Sequence, residues 1–202
     1  MSEATSRRTR RAPKSYQHPI EVSRIEEIWR RGEITPLELM RIVAWKSALG
    51  LAEVTVNDES SIRSATRSAI VAVSFLRDTN VVAQRHSVDW TAWRGAAADA
   101  IGSKSAKTGL LGLRGIGYPV ATAVLATLLP NVFPVMDRYA ISEIFGTTLR
   151  DAKSPNWHTA DYYTEYCRRL VGSEASEMRA KTSVHERDKV AMNAGMKKAL
   201  AK

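Results

Sequence analysis

Helix start and stop signals recur along this 202-residue chain, and strand signals hardly appear. In the stretch GEITPLELMRIVAWKSALG, Thr35 stands at an N-cap position, Pro36 follows as the first helical residue and Glu38 completes a capping box. Apolar residues then recur at helical spacing, which predicts a helix over residues 36–48. The beta-like runs, AEVTV and NVVAQ, are too few to build a sheet. The chain is therefore predicted to be all-α.

The same start and stop signals predict about eight helices in all. No internal repeat has the period of a solenoid protein. Residues 108–130 read as two helices broken at their glycines. The other predicted helices lie within residues 22–29, 61–79, 87–102, 138–146, 159–172 and 183–202. Trp90 and Trp93 are three positions apart on one helical face, which favours packing in the core.

The charge balance points to an anionic partner. Thirty Lys and Arg face twenty-one Asp and Glu, which leaves a formal charge of +9. Residues 1–18 are predicted to form a mobile basic arm, and residues 19–202 a single helical domain that ends in a basic C-terminal helix. A basic arm can bind DNA, RNA or an anionic membrane, or it can simply increase solubility. The arm alone therefore does not identify the partner.

Several kinds of site and location are disfavoured by what the sequence lacks. Cys167 is the single cysteine, which excludes an internal disulfide and a cysteine-ligated zinc or iron–sulfur site. His18, His86, His158 and His185 are scattered, so no metal site is expected. No apolar run reaches the length of a membrane span, and the N-terminus lacks a signal-peptide core. The expectation is a cytoplasmic protein without a cofactor and without an evident obligate protein partner.

A pair of glycines in the run LRGIG links two of the predicted helical segments. Gly115 and Gly117 permit a tight turn, and Ile116 between them is free to enter the core. The helix that starts near Tyr118 and Pro119 adds unpaired N–H groups and the positive end of its dipole. Such a turn can bind an anion. Alternatively, the two glycines only let two helices cross closely.

The longer run LLGLRGIGYPVATAVLATLLPNVFPVMDRYA resembles the helix-hairpin-helix plus Gly/Pro-Asp signature of the base-excision DNA glycosylase superfamily, which includes 8-oxoguanine glycosylase and endonuclease III-like proteins. The resemblance implies a hairpin at residues 109–128 that holds a DNA phosphate through backbone amides, often with a monovalent cation. It also implies that Asp137 is the catalytic acid. The helices before the hairpin follow the family's order only loosely. The DNA-binding residues implied are Arg114, Gly115, Ile116, Gly117 and Tyr118.

Two positions depart from the family's pattern. Arg114 replaces the usual proline of the hairpin, which adds a cation able to contact a phosphate. Pro119 stands where bifunctional members carry a lysine that forms a Schiff base with the sugar. Proline has no amine, so the resemblance implies a monofunctional glycosylase that releases a base without cutting the strand.

An aspartate at position 137 suits this chemistry. Breaking an N-glycosidic bond builds positive charge on the deoxyribose, and a carboxylate can stabilise that charge or activate water. The nucleotide must first be flipped out of the duplex, which costs a few kcal/mol that phosphate contacts offset. An aspartate before a helix is also an ordinary N-cap, and the two roles are compatible.

The base pocket is harder to place from sequence. Trp45, Lys46 and Ser47 fall roughly where family members have residues that enter the duplex or line the pocket. The alternative is that Trp45 belongs to the core and Lys46 to the solvent-exposed surface. Two rival functions also stay open: a non-catalytic DNA-binding protein that uses the hairpin as a phosphate grip, and a helical protein whose basic tails bind RNA. The sequence does not identify the excised base.

Overall fold

The computed structural model describes residues 19–201 and confirms the all-α prediction for that range. It contains ten α-helices and no β-strand within residues 19–201. The helices are α1 (Val22–Arg31), α2 (Pro36–Lys46), α3 (Ala48–Val54), α4 (Glu59–Val73), α5 (Trp90–Ile101), α6 (Tyr118–Leu128), α7 (Arg138–Phe145), α8 (Ala160–Gly172), α9 (Ser176–Arg179) and α10 (Val184–Leu200). The basic arm expected at residues 1–18 lies outside the described residues.

The structure departs from the sequence-based expectations at two places. The helix expected over 36–48 ends at Lys46, because Ser47 is extended and its hydroxyl accepts the Gly50 N–H to begin a new helix. That new helix, α3, includes part of the beta-like AEVTV run. The helix expected just before the paired glycines is only a 3₁₀ turn, Leu110–Gly112. Gly109, with φ +57°, packs against the backbone of Gly102, and Leu113 is extended, so only the three residues between Gly109 and Leu113 are helical.

Helix α6 lies at the centre of the core. Nine consecutive residues, from Val120 to Leu128, are buried, which is typical of a helix surrounded by protein on all sides. Trp93 of α5 is fully buried, and its indole N–H donates to the Val132 carbonyl just after α6. The prediction that Trp93 belongs to the core is confirmed, whereas Trp90 is only partly buried.

Helix α10 packs tightly against α7. A Cβ added to Gly195 would lie 2.1 Å from the Tyr139 carbonyl oxygen, so only glycine fits at this crossing. The capping box that starts α10 joins Ser183 and Glu186, as the predicted one that starts α2 joins Thr35 and Glu38. No helix within residues 19–201 is long and apolar enough to cross a membrane.

Candidate functional site

The two glycines of the hairpin turn, residues 113–117, have different structural roles. Gly115 has φ +78°, and a Cβ there would lie 2.7 Å from both the Gly50 carbonyl oxygen and the Val54 nitrogen. Gly115 therefore lets the turn pack directly on α3. Gly117 has φ −96°, and the nearest atom to an added Cβ is 3.9 Å away, on Pro119. The surface beside Gly117 is consequently open to a ligand.

The turn is held by two anchors. The Ile116 side chain is buried, which confirms that it enters the core. Asn57 makes the second anchor: its Nδ2 donates to the Arg114 carbonyl at 3.0 Å, and its Oδ1 accepts the Arg114 N–H at 2.9 Å. Sequence reasoning missed Asn57, because a contact that spans 57 positions has no local sequence signal. The guanidinium of Arg114 is exposed and has no ion-pair partner within residues 19–201.

The start of α6 presents unpaired donors. Gly117 is the N-cap, and no backbone carbonyl of the described chain accepts the N–H groups of Gly117 and Tyr118. The Tyr118 side chain is only 6% exposed, and its ring stacks on His158 with centroids 5.5 Å apart. At the hairpin turn itself, Tyr118 can therefore contact a DNA strand through its backbone N–H. These N–H groups and the helix dipole favour an anion at this end of α6.

Asp137 is the N-cap of α7 and also part of an ion pair. Its Oδ1 accepts the Tyr139 N–H at 2.9 Å, and its Oδ2 lies 2.7 Å from the Lys46 Nζ. The expected capping role is confirmed. The Asp137 side chain is 21% exposed, so the carboxylate is reachable from solvent even though both of its oxygens are engaged.

Of the three residues predicted near the base pocket, the structure brings Lys46 to the carboxylate. Lys46 is the last residue of α2, and its side chain is 13% exposed beside Asp137. Lys46 is therefore not the freely solvated side chain that the alternative interpretation expected. Trp45 is partly buried and packs against the hydrophobic core. The Ser47 hydroxyl is used to cap α3.

One buried hydroxyl connects the first turn of α6 to the Asp137 segment. Thr122 Oγ1 accepts the Met136 N–H at 3.0 Å and donates to the Pro119 carbonyl, also at 3.0 Å. Thr122 is fully buried. Because Met136 directly precedes Asp137, this pair of hydrogen bonds fixes the hairpin and the carboxylate in one relative position.

A second carboxyl, which is buried, lies beside this segment. Asp188, on α10, is 1% exposed; it accepts the Val135 N–H at 3.1 Å and a hydrogen bond from the Tyr166 hydroxyl. Burial raises the pKa of Asp188 to about 7, while the hydrogen bonds from Tyr166 and Val135 and the Lys46 charge oppose the rise. Sequence reasoning did not identify Asp188, because its partners lie on distant parts of the chain.

No protein-family model matches this chain, and searches of curated proteins and of solved structures found no match. The site must therefore be judged on its own geometry. Within residues 19–201, no three His, Cys, Asp or Glu side chains are grouped so that they could hold a metal ion. The site combines a partly exposed carboxylate and an ammonium group with a nearby turn that has unpaired backbone N–H groups.

Proposed function

We propose that the protein is a monofunctional DNA glycosylase-like enzyme, which hydrolyses the N-glycosidic bond of a damaged or modified base flipped out of double-stranded DNA. The observation that carries the proposal is the Thr122 link between the start of α6 and the Asp137 segment. It holds a backbone anion site and a solvent-reachable carboxylate in one fixed arrangement. An enzyme that grips a strand while acting on one of its sugars needs both.

In this proposal the reacting group is the Asp137 carboxylate. As the bond between the sugar C1′ and the base nitrogen breaks, positive charge develops on the sugar and the carboxylate stabilises it. The oxygen of a water molecule then bonds to C1′ and one of its protons passes to Asp137, which releases it to solvent, while the departing base takes up a proton from solvent. Lys46 balances the carboxylate's charge in the resting protein and holds its position.

The hairpin turn would bind the phosphate. The donors are the unpaired N–H groups at Gly117 and Tyr118, and the exposed Arg114 guanidinium adds a charge nearby. A monovalent cation at the hairpin, as the family resemblance implies, would add a further attraction for the strand. The formal charge of +9 supplies attraction over longer distances, which weakens as salt concentration rises.

The rival proposal is a DNA-binding protein without catalysis. It is favoured by the engagement of both Asp137 oxygens, one in a helix cap and the other in an ion pair. In that case the hairpin still binds a phosphate, but the carboxylate only stabilises the fold.

The decisive experiment replaces one carboxylate. Asp137→Asn should keep the helix cap and the affinity for duplex DNA, because asparagine is an equally good N-cap. Base release should fall by at least about 100-fold, since the charge that stabilises the sugar cation is lost. The measurement is alkaline cleavage of abasic sites in a panel of duplexes with damaged, modified or mismatched bases.

The matched control is Asp89→Asn, which makes the same change at the N-cap of α5, where the side chain accepts the Thr91 and Ala92 N–H groups. This control should leave base release unchanged. If the native protein binds the duplexes and releases no base from any of them, the enzyme proposal fails and the DNA-binding module takes its place.

A further inference from the structure

A cleft of about 700 Å³ opens beside the hairpin turn. One side is formed by the start of α6 and the other by the start of α8, and the loop after α5 completes the wall. Its lining includes Gly117, Tyr118 and Pro119 at the start of α6, together with His158, Thr159 and Ala160 at the start of α8. The N-terminal ends of two long helices therefore converge here, and their dipoles and free N–H groups favour an anion.

The charged side chains around this α6/α8 cleft strengthen the preference. Lys104 lines the cleft and has no ion-pair partner within residues 19–201. The pKa of His158 is lowered by burial and then by the Lys104 charge, so that charge acts inside the cleft. Asp161, an acid in the first turn of α8, is already ion-paired with Arg94.

An unpaired hydroxyl also belongs to this wall. Tyr118 is 6% exposed, and its hydroxyl oxygen is buried without a hydrogen-bond partner in the described chain. Leaving such a group unpaired is destabilising, and buried polar groups in proteins are nearly always paired. Because Tyr118 lines the cleft, this hydroxyl is free to pair with a molecule that binds there.

We propose that the α6/α8 cleft binds the phosphate group of a nucleotide-sized ligand. The phosphate lies at the two helix N-termini beside Lys104, and the Tyr118 hydroxyl hydrogen-bonds to the ligand. The cleft is much larger than a phosphate alone and within the range of small-molecule sites. Its remaining wall combines apolar Ala98, Ile101 and Leu111 with the polar Ser103 and Ser105, and the apolar part suits the flat ring of a base. The proposal does not depend on base release.

The test compares three probes by isothermal titration calorimetry: inorganic phosphate, deoxyadenosine, and deoxyadenosine 5′-monophosphate. The nucleotide should bind more tightly than either part alone. Lys104→Gln and Tyr118→Phe should each weaken nucleotide binding by about tenfold or more, because each removes a donor to the ligand. The matched control is Lys107→Gln, an exposed lysine of the same loop that does not line the cleft.

Tyr118→Phe gives a second readout. It removes an unpaired buried hydroxyl, so the variant should have a higher melting temperature than the native protein while binding the nucleotide less tightly. A higher melting temperature with unchanged affinity would mean that the hydroxyl has no ligand, and it would overturn the proposal.

Competition identifies where the phosphate comes from. If the nucleotide displaces a short duplex, the cleft and the hairpin turn bind the same phosphate of the DNA strand at the start of α6. If it binds without displacement, its phosphate lies at the start of α8 and the cleft accepts a separate nucleotide. Both results support the site. If the nucleotide does not bind and Lys104→Gln leaves duplex affinity unchanged, the site does not exist. Because all these measurements report binding, they are unaffected if the protein releases no base.

Discussion

Lys46 and Asp137 lie 91 positions apart in sequence, and the Lys46 Nζ is 2.7 Å from the Asp137 Oδ2. The contact joins the last residue of α2 to the N-cap of α7. It places a primary amine at the carboxylate on which the proposed chemistry depends. The amine comes from a different part of the chain than position 119, where the family resemblance expects a lysine and this sequence has proline.

The first prediction concerns strand cleavage. Borohydride should not trap the native protein on a duplex that contains an abasic site, although the protein binds that duplex. Pro119 has no amine, and the Lys46 amine is engaged as an ammonium group in an ion pair, so its lone pair is not free to attack the sugar. The measurement is the amount of covalent protein–DNA product on a denaturing gel.

The opposite outcome would also be informative. A trapped product that disappears in Lys46→Arg and persists in Lys104→Arg would identify Lys46 as the nucleophile. Arginine keeps the positive charge beside Asp137 but cannot form the Schiff base. That result would make the prediction of a monofunctional enzyme wrong.

The second prediction separates the two glycines of the turn. Gly115→Ala should lower the free energy of unfolding by about 2 kcal/mol or more, because it combines a positive φ with a clash against the α3 backbone. Gly117→Leu should cost only about 1 kcal/mol, as a poorer N-cap. It should nevertheless weaken duplex binding, since the new side chain occupies the open surface where the phosphate would lie. Chemical denaturation and fluorescence anisotropy measure the two effects.

The salt dependence of binding and a matched glycine variant test whether this effect is specific to the hairpin turn. Gly117→Leu should reduce the slope of log affinity against log salt by about one phosphate contact. Gly172→Leu adds the same bulk at the exposed end of α8, where a new Cβ meets nothing within 4 Å, and should leave binding unchanged. Unchanged duplex affinity in a folded Gly117→Leu variant would argue against the hairpin as the phosphate site.

The third prediction concerns pH. Because burial raises the pKa of Asp188 from 3.8 to about 7, the folded protein holds a proton that the unfolded chain releases between these values. The contribution of Asp188 to stability is therefore fully present below about pH 4 and is lost as pH rises towards 7. The slope of this contribution approaches about 1.4 kcal/mol per pH unit at its steepest. Denaturant titrations between pH 4 and pH 8 measure it.

Asp188→Asn isolates this effect from the other carboxyl groups. Asparagine keeps an acceptor for the Val135 N–H and cannot titrate. The stability difference between the native protein and Asp188→Asn should therefore shift in favour of the variant as pH rises from 4 to 7. A difference that does not vary with pH would mean that Asp188 is ionised throughout, and the raised pKa would be wrong.

Local sequence signals gave correct predictions for features that depend on a few neighbouring residues. The Thr35–Glu38 capping box, the Asp137 N-cap and the burial of Ile116 were predicted and are confirmed. The helix before the glycines was predicted wrongly. The prediction followed the helical spacing of the apolar residues, whereas in the structure the backbones of Gly102 and Gly109 pack against each other. That contact depends on how the whole loop closes, which helical periodicity does not reveal.

The sequence by itself determined that the chain is helical and that Asp137 begins a helix, since capping and periodicity act over a few residues. Only the tertiary structure decided which groups meet at residues 135–137. Lys46, Thr122 and Asp188 come from three different helices, and their approach depends on how those helices pack around the buried α6. Side-chain contacts between distant segments follow from the shape of the packed core, and that shape is a property of the whole chain.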